Sequence, residues 1–547
     1  MIERDFNVAF IADMALREKQ IQQNYRPVIA VHKWFARRPG TLFRGLLLSE
    51  FVSGDLRQSF YEGHKLAGKR VCDPFMGGGS PLLEANRLGC DVIGYDINPM
   101  SHWIVSEELA HIDLAQYRAA GARLRGALEK KIGHLYRTTC LGCGSKDAHV
   151  KYFLWVKTQA CTSCQTAVDL FPGYLVAEDA RHPRNVFLCG ACGSLSECED
   201  RKKPGPCKSC GKPITLSSPA KRNQCECPNC HSIAKYPDAS KGPLQHRLFA
   251  IEYHCRTCKS GHQGRFFKAP DGDDLGRVAE AERLRAQLKP EFIPDEEIPA
   301  GDETDRLHRW GYQFYHQMFN ARQLLGLELS CRFIHKESSE RLRHALATNL
   351  SDLLRYQNLL CRYDTMALKS LDIFSVHGFP VGLVQCESNL LGISNASKEM
   401  SVGSGGWANI LDKYAKAKAY CDMPFEIRHI GGRKVKVNVP DEWIGEHRNG
   451  TRQPESRSVD LRCADAATAT GIEPASLDAV FTDPPYFGIV QYAELMDFCY
   501  VWLRRLAGEG KGCFGQVSTR NDAELTGNNN MNRGLEHFTE GLSRVFQ

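Results

Sequence analysis

Residues 69–99, KRVCDPFMGGGSPLLEANRLGCDVIGYDINP, parse as a short strand, a glycine loop, a helix and a second strand that ends at Asp96. That order is a β-loop-α-β unit of a doubly wound sheet. Gly77, Gly78 and Gly79 remove side chains where a ligand must approach the backbone. Asp96 lies 17 positions after Gly79. There a doubly wound nucleotide fold sets an acid against ribose hydroxyls, although a plain strand-end turn also accounts for it. No G-K-[ST] follows, so the loop is not a P-loop. Taken alone, the stretch also fits a dinucleotide dehydrogenase.

Strand signals return far downstream, at SVDLRCAD (458–465) and LDAVFTD (477–483). The second runs into FTDPPYFGIVQYAEL (481–495) and then a helix, AELMDFCYVWLRRLA. A strand exit with a rigid turn would explain one proline. Two prolines fix two φ angles and carry no N–H, so a carbonyl of the loop can point inward as an acceptor. Asp483 is a second acceptor, and two acceptors match the two hydrogens of an exocyclic amino group. Tyr486 offers a ring face on which a planar base can stack. Ligands bind at the carboxyl edge of an open α/β sheet, which both motifs would share.

The chain of 547 residues is too long for one core. Its 42% hydrophobic and 24% charged residues are those of a soluble globular protein, and a net charge of +6 is compatible with nucleic acid without requiring it. MIERDFNVAF carries charges where a secretory leader needs an apolar core, and no run reaches the roughly 18 apolar residues of a spanning helix. The expectation is a cytoplasmic protein that contacts no membrane, in which thiols stay reduced.

Twenty-three cysteines then need a reason other than disulfides. Twelve fall in C-x-x-C pairs: Cys140/Cys143, Cys161/Cys164, Cys189/Cys192, Cys207/Cys210, Cys227/Cys230 and Cys255/Cys258. Two such knuckles supply four sulfurs around a tetrahedral zinc, and a closed four-sulfur site is structural. Pairing neighbours in order gives up to three zinc ions; nested connections, or substitution by Cys198 or Cys225, are the alternatives. Between the pairs lie Arg201, Lys202, Lys203, Lys208, Lys221 and Arg222, which read equally as a solvated face or as phosphate contacts.

The pair DPFMGGGS and TDPPYF resembles the amino-methyltransferases that use S-adenosylmethionine. HKWFARRP (32–39), the zinc pairs and FNARQLL (319–325) resemble, more narrowly, bacterial adenine-specific DNA methylases containing a zinc ribbon and an N-terminal domain of unknown function. The resemblance implies a Rossmann-like doubly wound methyltransferase sheet. It implies that Asp73, Pro74, Phe75 and Gly77 to Gly79 bind the cofactor, that Asp96 holds its ribose, and that Asp465 accepts from its adenine. Asp483, Pro484, Pro485 and Tyr486 become the catalytic motif. His32, Trp34, Arg37 and Arg38 occupy the position of the family's first cofactor-side motif, or form a basic surface helix. The implied activity is methylation of an exocyclic amino group of DNA, N6 of adenine foremost. The alternatives are cytosine N4 of DNA, guanine N2 of tRNA, and a zinc-ribbon nucleic-acid binding module with an inactive methyltransferase remnant.

The expected organisation is N-terminal helices plus the first half of the α/β domain over 1–137 and a zinc-ribbon insertion over 138–270. A linker with a helical and mixed insertion follows over 271–455, and the second part of the α/β domain over 456–547. Residues 271–300 read as a linker or surface loop, residues 305–372 as long helices, and 376–455 have no assigned fold. Four strands can be placed where such a sheet normally has seven. The expectation is therefore a sheet incomplete at the C-terminus and a separate C-terminal fragment or subunit as partner.

Overall fold

The computed structural model of the chain describes residues 2–258, 264–395, 400–447, 456–468, 471–508 and 510–547. They form two compact units. Unit 1 comprises Met1–Ala122, Ile334–Asp352 and Leu411–Gln547, and unit 2 comprises Arg123–Phe333 and Leu353–Ile410. The stretch 271–455, expected as one block, is thus divided between the units. Its expected boundary at residue 455 lies outside the described residues. Among the described residues, no helix is long and apolar enough to cross a membrane.

Unit 1 is mixed α/β around a four-stranded parallel sheet. Its strands are β1 (Arg70–Asp73), β2 (Asp91–Asp96), β3 (Val459–Cys463) and β4 (Ala479–Val480), in the order β3-β2-β1-β4. The central β1 and β2 are almost wholly buried, and the outer β3 and β4 only partly, as expected where helices cover the middle of a parallel sheet. Alternate residues face opposite ways. Val71 and Val92 enter a large core with Leu47, Leu48, Leu82 and Leu83, while Cys72, Ile93 and Tyr95 join a smaller cluster lined by Leu477.

The helices of unit 1 used below are α1 (Val8–Gln20), α2 (Gly40–Phe51), α3 (Ser80–Arg87), α4 (Pro99–Leu109), α5 (Tyr492–Ala507) and α6 (Leu535–Phe546). Helices in the first sixty residues are as expected. Asn7 caps α1 by accepting from Phe10 N at 3.0 Å. Glu18 of α1 does the same service for α2: its carboxylate accepts from Gly40 N and Thr41 N at 2.8 and 3.0 Å. A negative charge is stabilising at a helix N-terminus.

A buried ionic cluster ties the unassigned region 411–447 to these helices. Arg26 pairs with Glu84 and Glu426 at 2.6 and 2.9 Å, Arg87 with Glu426 and Glu442 at 2.7 Å each, and Arg44 with Glu442 at 2.9 Å. The three cations balance the three anions. Removing one partner from such a buried set typically costs about 3–5 kcal/mol, because the remaining charge stays buried.

Unit 2 is built on the antiparallel strand Ala148–Ala160, flanked by Gln245–His254 and Val384–Ser388. Two helical expectations change in detail. Residues 272–287 form a helix rather than a loop, started by a capping box in which Asp271 and Asp274 cap each other's backbone N–H. Within 305–372 the helices Ala321–His335 and, in unit 1, Glu340–Leu353 are present, but Arg362–Asp364 and Lys369–Leu371 form a hairpin.

The cysteine pairs gather into three tetrads: Cys140, Cys143, Cys255 and Cys258; Cys161, Cys164, Cys227 and Cys230; Cys189, Cys192, Cys207 and Cys210. The in-order pairing therefore holds only for the third. The other two are nested, and the cause is the antiparallel ladder. His254 pairs with His149, which brings the knuckle after the strand Gln245–His254 to the knuckle before Ala148–Ala160. The knuckle at the opposite end of Ala148–Ala160 meets Cys227 and Cys230. Cys198 and Cys225 belong to no tetrad; Cys225 Sγ accepts from Gln159 Nε2 at 3.2 Å.

The donor set fits a metal ion. A tetrahedron of sulfurs at about 2.3 Å from a zinc has edges of roughly 3.8 Å. The Sγ–Sγ distances across the three tetrads are 3.6–3.8 Å. Each tight knuckle needs a left-handed residue after its second cysteine. Gly144, Gly193 and Gly211 supply it, and so do Gln165 and His231, at φ of 59° each. The corresponding position after Cys258 lies outside the described residues.

Nesting has a direct stoichiometric test. Cys143→Ser with Cys255→Ser damages one tetrad and should lose one zinc per chain by elemental analysis. Cys143→Ser with Cys161→Ser damages two and should lose two. The reverse result would restore the in-order pairing.

Candidate functional site

The carboxyl ends of β1 and β4 open into one cleft enclosing about 920 Å³, part of it open to solvent. The strand order reverses here: β2 and β3 lie on one side of β1, and β4 lies on the other. Asp73 leaves β1, and Asp483 follows β4 by three residues; both line the cleft although 410 positions separate them. Of the residues expected to bind a cofactor, Asp73, Pro74, Phe75, Gly77, Gly78, Asp96 and Asp465 line it. Gly79 instead caps α3 at a φ of 75°. Of the expected catalytic motif, Asp483 and Pro485 line the cleft, Pro484 does not, and Tyr486 is joined to it through Asp483.

Each carboxylate has a distinct setting. Asp73 accepts from Phe75 N at 3.0 Å through Oδ1, while its buried Oδ2 has no hydrogen-bond partner. Burial raises its pKa to about 7, against the lowering effect of Thr482 and the Phe75 N–H, with the charges of Asp96 and Asp483 adding a smaller rise. Asp96 accepts from Gly77 N at 2.9 Å and Asn98 N at 2.8 Å, so it holds the glycine loop as well as facing the cleft. Asp465 uses one oxygen to accept from Ala467 N at 2.9 Å. Burial also pushes Asp483 up, against the opposing effect of Arg38.

The protein itself also requires the glycines. A Cβ on Gly77 would lie 2.9 Å from Trp34 Nε1, one on Gly78 would lie 2.6 Å from Arg37 Nε, and one on Gly79 would lie 2.8 Å from Val105. The front stretch HKWFARRP therefore forms a wall of the cleft instead of a surface helix. Trp34 stacks on Tyr492 with ring centroids 5.4 Å apart and planes at 15°. Arg37 donates to Gly78 O at 2.6 Å and pairs with Glu108 at 2.8 Å. His32 is buried against Ser351, away from the cleft lining.

Arg38 crosses to the other motif. Its Nε donates to Asp483 Oδ2 at 3.0 Å, its Nη2 donates to the Tyr486 hydroxyl, and its guanidinium carbon is 5.1 Å from the Tyr486 ring centroid. The Tyr486 hydroxyl in turn donates to Asp483 Oδ1.

Tyr492, Glu524 and Thr526 are among the lining residues that carried no motif. Tyr492 falls six positions after Tyr486 at the start of α5, where its register reads as ordinary amphipathic helix. Glu524 accepts from Ala493 N at 3.3 Å and pairs with Arg533 at 3.1 Å; burial raises it to about 7. Beside it α6 packs over the glycine-loop side, with Phe546 edge-on to Phe75 at 6.2 Å and Gly541 against Leu525.

The cleft thus offers five acidic side chains, several with free acceptor capacity, beside an aromatic and apolar wall. It suits a ligand with amino and hydroxyl donors or a positive charge. No family model, curated protein or solved structure matches the chain.

The state of Asp73 can be followed through stability. An unfolded Asp ionises near about pH 4, whereas folded Asp73 ionises near about 7. Between these values the unfolded chain binds fewer protons, so Asp73 makes stability fall as pH rises through that window and adds no slope above it. Asp73→Asn should give a shallower fall in Tm from pH 4 to 7 than the parent chain. Parallel curves would place Asp73 in an ordinary environment.

Proposed function

We propose that the chain transfers a methyl group from S-adenosylmethionine to an exocyclic amino group of a nucleic-acid base, N6 of adenine in DNA foremost. The observation that carries this reading is the single cleft shared by the DPFMGGG turn and the DPPY turn. Its fit to the cofactor rests on the acidic lining, Asp73, Asp96 and Asp465 among it, which complements a sulfonium, ribose hydroxyls and an adenine amine. Asp73, Phe75, Gly77 and Gly78 would hold the methionine half, Asp96 the ribose and Asp465 the adenine. When bound, the cofactor supplies an already activated methyl group.

The chain's own task is to present the nucleophile. An aromatic amine delocalises its lone pair into the ring and is a weak nucleophile. Asp483 would accept one of its hydrogens and the carbonyl of Pro484, which adjoins the cleft without lining it, the other; this favours a more tetrahedral nitrogen with its lone pair directed outward. The base must leave its stack to arrive, at a cost of a few kcal/mol, and stacking on Tyr486 offsets part of this. The proline-fixed backbone keeps the acceptors in place. Unit 2 would be held by three structural zinc ions, with its exposed lysines and arginines available to phosphates.

Labelled-methyl transfer onto DNA and tRNA pools, followed by nucleoside analysis, identifies the base. Asp483→Ala should lower transfer by about 10²-fold or more while calorimetric cofactor binding survives. Equal loss of both would remove Asp483 from the assigned role. Tyr486→Ala should be the more damaging of two tyrosine variants, with Tyr486→Phe milder because it keeps the ring.

A further inference from the structure

We propose that Arg38 is a stand-in for the target base, closing the base site in the free protein and leaving it for a backbone phosphate when DNA binds. The inference rests on the reading of Asp483 and Tyr486 as that site.

A base held by Asp483 and Tyr486 needs an N–H directed at the carboxylate and a flat surface against the ring. Arg38 already provides the N–H, and sets a planar cation beside the tyrosine. Its planar guanidinium donates from Nε to Asp483 Oδ2 at 3.0 Å and lies over Tyr486 at 5.1 Å, while Nη2 occupies the tyrosine hydroxyl. An incoming amine has to share Asp483 Oδ2 with that bond or displace it. Neighbouring Arg37 cannot play the part. Its side chain is 4% exposed and locked between Gly78 and Glu108, whereas that of Arg38 is 42% exposed.

Exposure also makes the plug weak. An ion pair open to water is worth no more than about 1 kcal/mol, so it can break at little cost. A freed guanidinium beside bound DNA meets phosphate oxygens, which it binds bidentately and with release of counterions. Opening of the base site is then coupled to arrival of the strand, and an isolated nucleoside, which lacks that phosphate, has to compete with the arginine.

The test uses the full-length protein with adenosine and a short DNA duplex as probes. Arg38→Ala should bind adenosine about 2–5-fold more tightly, the loss of a surface ion pair expressed as affinity. The same variant should lower the slope of log K against log salt for the duplex by about one. Arg38→Lys keeps the charge without the planar fork. It should keep the slope yet gain adenosine affinity. Unchanged or weaker adenosine binding in Arg38→Ala overturns the plug; tighter adenosine binding with an unchanged slope overturns the phosphate exchange. Asp483→Asn and Tyr486→Ala separate this from the underlying reading. If neither weakens adenosine binding, the base site itself is misassigned. If both do while Arg38→Ala has no effect, only the plug fails.

Discussion

Two residue pairs decide that the two distant motifs share one cleft. Val71 faces Ala479 and Cys72 faces Val480 in a parallel ladder, extended by Phe481 N donating to Cys72 O at 3.0 Å and Asp478 N donating to Arg70 O at 2.9 Å. Asp478 also accepts from Arg70 N and pairs with Lys69, which pins the register at the amino end. A one-residue slip would turn Ala479 and Val480 to the wrong faces and carry Asp483 away from Asp73. The proposed transfer thus depends on a very short strand, reinforced by side-chain bonds at its start.

The cleft is completed from parts that have no common motif. The front stretch supplies Trp34 and Arg37, which fill the space that the glycines vacate. The start of α5 supplies Tyr492, and the turn at 523–526 supplies Glu524. Region 411–447 supplies no residue of the cleft lining, yet its Glu426 and Glu442, together with Glu84 of α3, neutralise three buried arginines around α2 and α3. Those two helices carry the core against which β1 and β2 pack.

Much of this was legible locally. The β-loop-α-β order of 69–99, the parallel pairing of distant strands and the six cysteine knuckles follow from periodicity, glycine placement and thiol spacing. What could not be read was long-range. The order in which knuckles meet is set by an antiparallel register, and no spacing encodes it. Glu524 and Tyr492 are ordinary residues until folding brings them to the rim. At Gly77 and Gly78 the sequence announced close approach without saying that Trp34 and Arg37 are among what approaches. The helix at 272–287 was hidden because its charges suggested a linker, although Asp271 and Asp274 are its capping pair.

The nested tetrads also impose an order in time. The inner site joins sulfurs 15 and 21 positions apart, the next 63 and 69, and the outer 112 and 118. As the chain emerges from the ribosome, the innermost knuckles are released together and close the smallest ring, where the entropy lost is least. Cys140 and Cys143 emerge first yet wait longest, since their partners are translated last. Metallation should run from the centre outward, and the earliest thiols made are the ones most dependent on a reducing environment during synthesis.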